Sequence, residues 1–414
     1  MKQFNFMSLT LIGLCLMINI SCVNRTVERV SEDTFNRRQF FKVDYEGILN
    51  QEKVIRLSEI ASDIVYVPLE TKSENLIKSV VEYRFTDDFI FVKNVNHVLM
   101  FDRKGNFIRQ IGKPGRGPGE IGVIRNLSIL EEEKQIVVQT NWSRKLYFFN
   151  FEGEFLYSNE SPDVKDVKIL PDGKQLLFDS PNWGTEKYVF ILRESSGDTI
   201  TAVNNHYFWE NKIGFASRVS YQLAIPFYDY DGSTSMKFIY NDTVYNISGD
   251  SIVPEYMINM GRYKLKDEDR IEVLQVDFRR FLENSKGYRF ASPFEAKEKL
   301  FIASLDFSDN KEENQWNMIY DRRSSSGNLV VDVQGEPGKI INDIDGGPDF
   351  WPLGTINDST VYMVVMPYEI IGDDNKKNLI ENEAIDIEKK KTFLQLATTI
   401  RENDNPILMV VNLK

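Results

Sequence analysis

The chain has 414 residues, 42% of them hydrophobic and 12% aromatic, which is enough to bury a sizeable core. A formal net charge of −12 excludes a binder that tracks nucleic acid backbone, because that task needs a concentrated basic face. Two histidines and two cysteines leave little material for a histidine zinc site and none for a disulfide framework.

Residues 1–21 read as a signal peptide. Lys2 gives a positive start, residues 4–20 are mostly apolar, and small Ser21 precedes Cys22. The apolar run is short for a spanning helix, which needs about 20 residues. The Ser21-Cys22 ending resembles a bacterial lipobox, cut between these two residues and acylated on the Cys22 thiol. Cys15 falls inside the signal, so the mature chain would hold Cys22 alone. Each buried lipid methylene contributes about 0.8 kcal/mol, so a multiply acylated Cys22 holds a domain on a membrane. Residues 22–50 are polar and mixed in charge and read as a tether, with a candidate first strand at residues 40–43.

From residue 51 to the end the pattern is β-rich. Strands are expected at residues 63–69, 78–85, 88–93, 98–101 and 106–111, with a DRKG turn at residues 102–105. The pattern F-x-x-x-G-x-F-[IL] then recurs. Phe101, Gly105, Phe107 and Ile108 are matched by Phe149, Gly153, Phe155 and Leu156, 48 residues on. Looser copies start near residues 170, 189, 238, 318 and 354. Repeats of about 40–50 residues with several strands each mark a β-propeller. Two segments break the pattern with apolar residues at helical spacing. One is residues 267–284, through Ile271, Leu274, Phe278, Phe281 and Leu282. The other is residues 382–401, through Ile385, Phe393, Leu396 and Ala397. The expected fold is all-β, a six-bladed β-propeller over residues 51–414 with two helical insertions.

Five short stretches occur in order: Leu69-Glu70-Thr71, residues 101–120, residues 241–245 (NDTVY), residues 341–347 (INDIDGG) and residues 405–408 (NPIL). Together they resemble the six-bladed β-propeller lipoproteins of Bacteroidetes, distant relatives of NHL-type propellers. The resemblance implies a lipid-anchored propeller in the cell envelope with no established activity. Surface-exported members often carry an acidic run after the cysteine. Residues 23–28 (VNRTVE) lack one, which favours a periplasm-facing protein over a surface-exposed one.

Candidate sites are scattered. Residues 112–120 (GKPGRGPGE) hold four glycines, but they match neither the P-loop nor the dinucleotide-binding spacing. They read as a crossover between blades, in which Arg116 and Glu120 face a ligand or pair with each other. Asp343, Asp345 and Asp349, and likewise Asp229 and Asp231, suggest either a calcium loop or self-capped turns. No cofactor is expected; calcium or another divalent cation is the class such loops would take. Trp142, Trp183, Trp209, Trp316 and Trp351 either pack blades or line a sugar or peptide face, with Trp183 and Trp209 in the most loop-like contexts. His97 reads as a surface or rim residue, and no G-x-S-x-G elbow accompanies it or His206.

The reading that follows is a lipid-anchored envelope propeller that binds a peptide, a glycan or a partner protein without catalysis. Its rival is a carboxylate-metal hydrolase or lyase, lactonase-like, with its site on the central axis. Three or more Asp, Glu or Asn oxygens converging on that axis would favour the rival; an aromatic and apolar face there would favour binding.

Overall fold

The computed structural model describes residues 40–77, 82–141, 144–180, 185–206, 226–270, 278–309 and 314–414. Residues 40–414 form one compact unit. The protein is a six-bladed β-propeller. Blade 1 is Glu82–Phe85, Phe89–Lys93, Val98–Asp102 and Phe107–Ile111. Blade 2 is Ile124–Leu130, Gln135–Thr140, Lys145–Asn150 and Phe155–Glu160. Blade 3 is Asp166–Ile169, Gln175–Phe178, Tyr188–Arg193 and Thr199–Asn204. Blade 4 is Phe227–Tyr230, Ser233–Lys237, Thr243–Ser248 and Ser251–Asn259. Blade 5 is Arg289–Ala296, Lys299–Asp306, Trp316–Asp321 and Ser326–Val330. Blade 6 is Gly354–Asn357, Thr360–Val365 and Ile407–Leu413, completed from the other end of the chain by Ala61–Pro68.

The middle strands of each blade are apolar on both faces because each face meets a neighbouring blade. Alternation along the strand decides which neighbour. In blade 1, Phe91, Val98 and Met100 pack toward blade 2 with Ile136, Val138 and Phe149. Ile90, Val92, Leu99 and Phe101 pack the other way, toward Tyr362 and Leu408 of blade 6. Equivalent cores lie between blades 2 and 3, 3 and 4, 4 and 5, and 5 and 6. The six interblade cores close a ring.

The repeat seen in the sequence is the outer hairpin turn of blades 1 and 2. Gly105 N–H donates to the Asp102 carbonyl at 3.0 Å, and Gly153 N–H to the Asn150 carbonyl at 3.0 Å. Both glycines take positive φ, +88° and +84°, which a side chain would resist.

The N-terminal residues form a strap around the outside of three blades. Phe41–Asp44 adds a parallel fifth strand to blade 4, in register with residues 256–259. Glu52–Lys53 does the same for blade 5. Ala61–Pro68 then runs antiparallel to Ile407–Leu413 and closes blade 6. Residues 41–50, which the sequence reading leaves in the tether, are therefore part of the blades.

Both helical insertions are present with altered limits. The second runs earlier than expected, as Tyr368–Ile371, Asp373–Glu381 and Ile387–Thr399. Asp386 caps the last of these by accepting the Lys389 N–H at 3.0 Å. Ile370, Leu379, Phe393 and Ala397 anchor the group on the core between blades 5 and 6. In the first, residues 267–270 and Phe278–Asn284 are helical, and residues 271–277 lie outside the described residues.

Candidate functional site

The two faces of the ring differ. On one face, the turns that join first to second and third to fourth strands are short, from 297–298 at the least to 170–174 at the most. On the other face lie other described connections, including residues 94–97, 331–353 and 366–406. His97, the acidic loop at 342–349 and the helices Tyr368–Ile371, Asp373–Glu381 and Ile387–Thr399 belong to this loop-rich face by chain position, whereas residues 112–120 pack Gly112 against Phe149 and Gly119 against Phe155, beside the third-to-fourth turn of blade 2. Loops on a rigid ring are where binding residues collect.

The first strand of each blade borders the axis, and from the loop-rich mouth inward these strands carry a ladder of charges. Glu82 and Arg84 of blade 1 form an ion pair, and Lys93 reaches Glu82 at 2.5 Å. Lys93 also donates to the Arg125 carbonyl of blade 2 at 2.9 Å. Lys168 of blade 3 pairs with Asp229 of blade 4, whose carboxylate also accepts from the Thr234 hydroxyl at 2.6 Å. The Asp229 side chain keeps 65% of its surface open to solvent, so the described axis is charged rather than the aromatic and apolar face that would favour binding.

The charges hold one another. Burial alone would raise the Glu82 carboxyl, but Arg84 and Lys93 outweigh it and hold it below its usual value. Burial would likewise raise Asp229, and Lys168 outweighs it. Lys168 is shifted down, chiefly by its burial and further by Arg84 nearby. Asp166, at the mouth, is raised by burial against the pull of Lys165 and Arg125. Acids and bases alternate, so the converging carboxylates that a metal hydrolase needs are not what the axis presents. Among the described residues no group of three His, Cys, Asp or Glu side chains is placed to hold a metal.

The residues singled out from the sequence fare differently. Ser21, Cys22, Trp142, Trp183 and Trp209 lie outside the described residues. The Glu120 carboxylate accepts the backbone N–H groups of Arg116 and Gly117, each at 2.8 Å, and these hold its carboxyl below the usual range. Glu120 thus closes its own loop, and the bond to Arg116 is through backbone rather than guanidinium. A Cβ at Gly115 would fall 1.9 Å from that carboxylate, which explains the glycine. His97 is half-buried between Asn94 and Asn96, and burial lowers its pKa. Trp351 packs on Phe301, and Trp316 stacks on the Arg289 guanidinium at 3.7 Å.

The three carboxylates of the acidic loop accept hydrogen bonds from within the loop and from Ser58, while the buried Asn342 Oδ1 has no partner. Asp343 accepts the N–H and hydroxyl of Ser58, at 2.9 and 2.6 Å. Asp345 accepts from Asn342 at 2.7 Å and the Gly347 N–H at 2.9 Å, while Asp349 accepts the Asn342 N–H at 3.1 Å. The sequence missed the axial role of Asp229. Its partner Lys168 lies on another blade, and no local spacing links them.

A family model described as a domain of unknown function, DUF4934, matches residues 40–412. The chain belongs to this family. The DUF4934 match begins where the strap begins and ends inside the last strand of blade 6, so the strap is part of the family's domain. Among solved structures, a presumed exported protein of Bacteroides fragilis is similar over 90% of this chain and 99% of its own, at 18% identity and a TM-score of 0.66. A member of the DUF4221 family from Bacteroides vulgatus is similar over 86% of this chain and 97% of its own, at 12% identity and a TM-score of 0.48. The first likeness shows the fold alone. No curated protein matches.

Three of the five stretches noted in the sequence meet at the ring closure. The Asn405 side chain donates to the Glu70 carbonyl at 2.9 Å and accepts the Ile77 N–H at 2.8 Å, and its own N–H reaches the Thr71 hydroxyl at 2.8 Å. Glu70 N–H donates to the Gly105 carbonyl, and its carboxylate accepts the Phe107 N–H, each at 2.8 Å. A fourth, INDIDGG, docks the second helical insertion through Asn382, which donates to the Gly346 carbonyl at 3.0 Å. These DUF4934 residues hold the ring together; their placement explains fold, not chemistry.

Proposed function

We propose that this DUF4934 protein is a cell-envelope binding protein, anchored through lipidated Cys22, that presents a peptide, glycan or partner-protein site on its loop-rich face and does no chemistry there. The asymmetry of the ring carries this reading. One face is trimmed to tight turns, while the other bears long described connections such as 331–353 and 366–406 around a charge-lined axis. The axial carboxylates are matched to bases, which suits recognition rather than metal activation. The anchor rests on the N-terminal sequence: a positive start, an apolar run and Ser21-Cys22.

Photo-cross-linking in native membranes tests both parts. A cross-linker replacing Val95, exposed in the 94–97 connection on the loop-rich face, captures a partner or glycan. The same group replacing Lys104, in a short turn on the opposite face, does not. Adducts from both positions alike, or from neither, defeat the binding reading. Cys22→Ser releases the protein into the soluble fraction; retention of that variant on membranes defeats the anchor.

A further inference from the structure

The axis is electrically unlike the rest of the molecule. The chain carries a net charge of −12, yet Arg84, Lys93, Arg125 and Lys168 line one funnel against Glu82, Asp166 and Asp229. In an acidic protein, an excess of cations gathered where field lines focus marks a place built to attract negative charge. The cations come from three separate blades, so no single hairpin explains them as local turn chemistry. They are also reachable: Lys93 and Lys168 keep 20% and 18% of their side-chain surface, and Arg84 keeps 39%. Asp166 sits at the mouth, where burial raises its carboxyl against the pull of Lys165 and Arg125.

We infer that the funnel takes an anionic ligand, one presenting a carboxylate or phosphate group to Arg84, Lys93, Arg125 and Lys168. The inference rests on the binding reading above and names its ligand class. An Arg or Lys hydrogen bond to such a group is charge-assisted, and its loss weakens binding by about tenfold or more. Arg125 and Lys93 stand at the entrance and meet the ligand first. Lys168 and Arg84, deeper in, exchange part of their pairing with Asp229 and Glu82 for the ligand's oxygens.

Calorimetric titration of the full chain at low ionic strength decides it. The probes are inorganic phosphate, trigalacturonate as a carboxylate glycan, and maltotriose as a neutral glycan. An anionic probe binds, weakens as salt rises, and loses about tenfold or more in affinity in Arg125→Gln and in Lys168→Gln. Phosphate or trigalacturonate responding alone identifies which oxyanion the funnel takes. Arg125→Gln lies at the mouth and reads the site independently should Lys168→Gln disturb folding. Maltotriose binding as tightly as the anions overturns the inference, as does anion affinity unchanged in both variants. Loop-face adducts at residue 95 that persist unchanged in both variants also overturn it while leaving the binding reading standing. Absence of adducts at residue 95 when Arg125 and Lys168 are both intact strikes the binding reading itself.

Discussion

Single residues show how tightly the ring closure is specified. Gly105 combines φ of +88° with a built Cβ only 2.1 Å from the Pro68 carbonyl oxygen. Both the strain and the clash are with backbone, so Gly105→Ala costs about 3 kcal/mol, read as a lower denaturation midpoint with an unchanged slope. Asp179 offers a test of opposite sign. Burial, reinforced by Glu186 and Asp163, pushes its carboxyl up to about 7. A carboxyl raised in the folded state holds its proton more tightly there than in the unfolded chain. Folding is therefore favoured below the unfolded value of about 4 and loses that advantage as pH rises through about 7. Asp179→Asn melts at a higher temperature than the unmodified protein at pH 8, and the gap closes toward pH 4. A gap independent of pH would mean that Asp179 does not titrate as described.

At the scale of elements, the strap separates what completes a blade from what reinforces it. Blades 4 and 5 keep four antiparallel strands without residues 41–53, but blade 6 has three strands without Ala61–Pro68. The strap still buries Val43, Tyr45 and Ile48 against blades 4 and 5, and Tyr45 shares a 2.6 Å hydrogen bond with Ser304. Each such side chain contributes roughly 1.5–3 kcal/mol when fully buried. Removal of residues 1–53 leaves a folded ring with a markedly lower melting temperature. Removal of residues 1–68 yields no cooperative melt in circular dichroism, and a cooperative melt there would show that blade 6 closes without its fourth strand. Of the strap's two short strands, Phe41–Asp44 is expected from the sequence and Glu52–Lys53 is not, for a physical reason. A two-residue strand such as Glu52–Lys53 is exposed on both sides and has no alternation to display.

For the whole molecule, the ring was legible and the axis was not. Blades 1 to 5 announce themselves because they repeat the same local demand, an apolar hairpin around a turn with positive φ, as at Gly105 and Gly153. The Asp373–Glu381 helix was missed because its sequence, DDNKKNLIE, has no apolar stripe and leans on Leu379 for burial. The axial ladder left no trace of any kind. Glu82, Lys168 and Asp229 are far apart along the chain and become neighbours only when the ring closes. Function on a propeller axis is written in long-range order, which a single sequence does not spell out. Four of the five stretches mark joints, with three of them converging on Asn405 and Glu70.

The strap also sets how the molecule would meet tension. A pull applied at Phe40 does not reach the ring closure directly. It first loads the short parallel pairing of Phe41–Asp44 with blade 4, then the shorter one of Glu52–Lys53 with blade 5. Only after both have peeled does the load arrive at Ala61–Pro68, which is zipped along the length of Ile407–Leu413. The outer strands would act as sacrificial links in series, yielding and re-forming while the ring stays shut. A domain tugged from its amino end by a drifting anchor would absorb the strain in its trimming rather than in its frame.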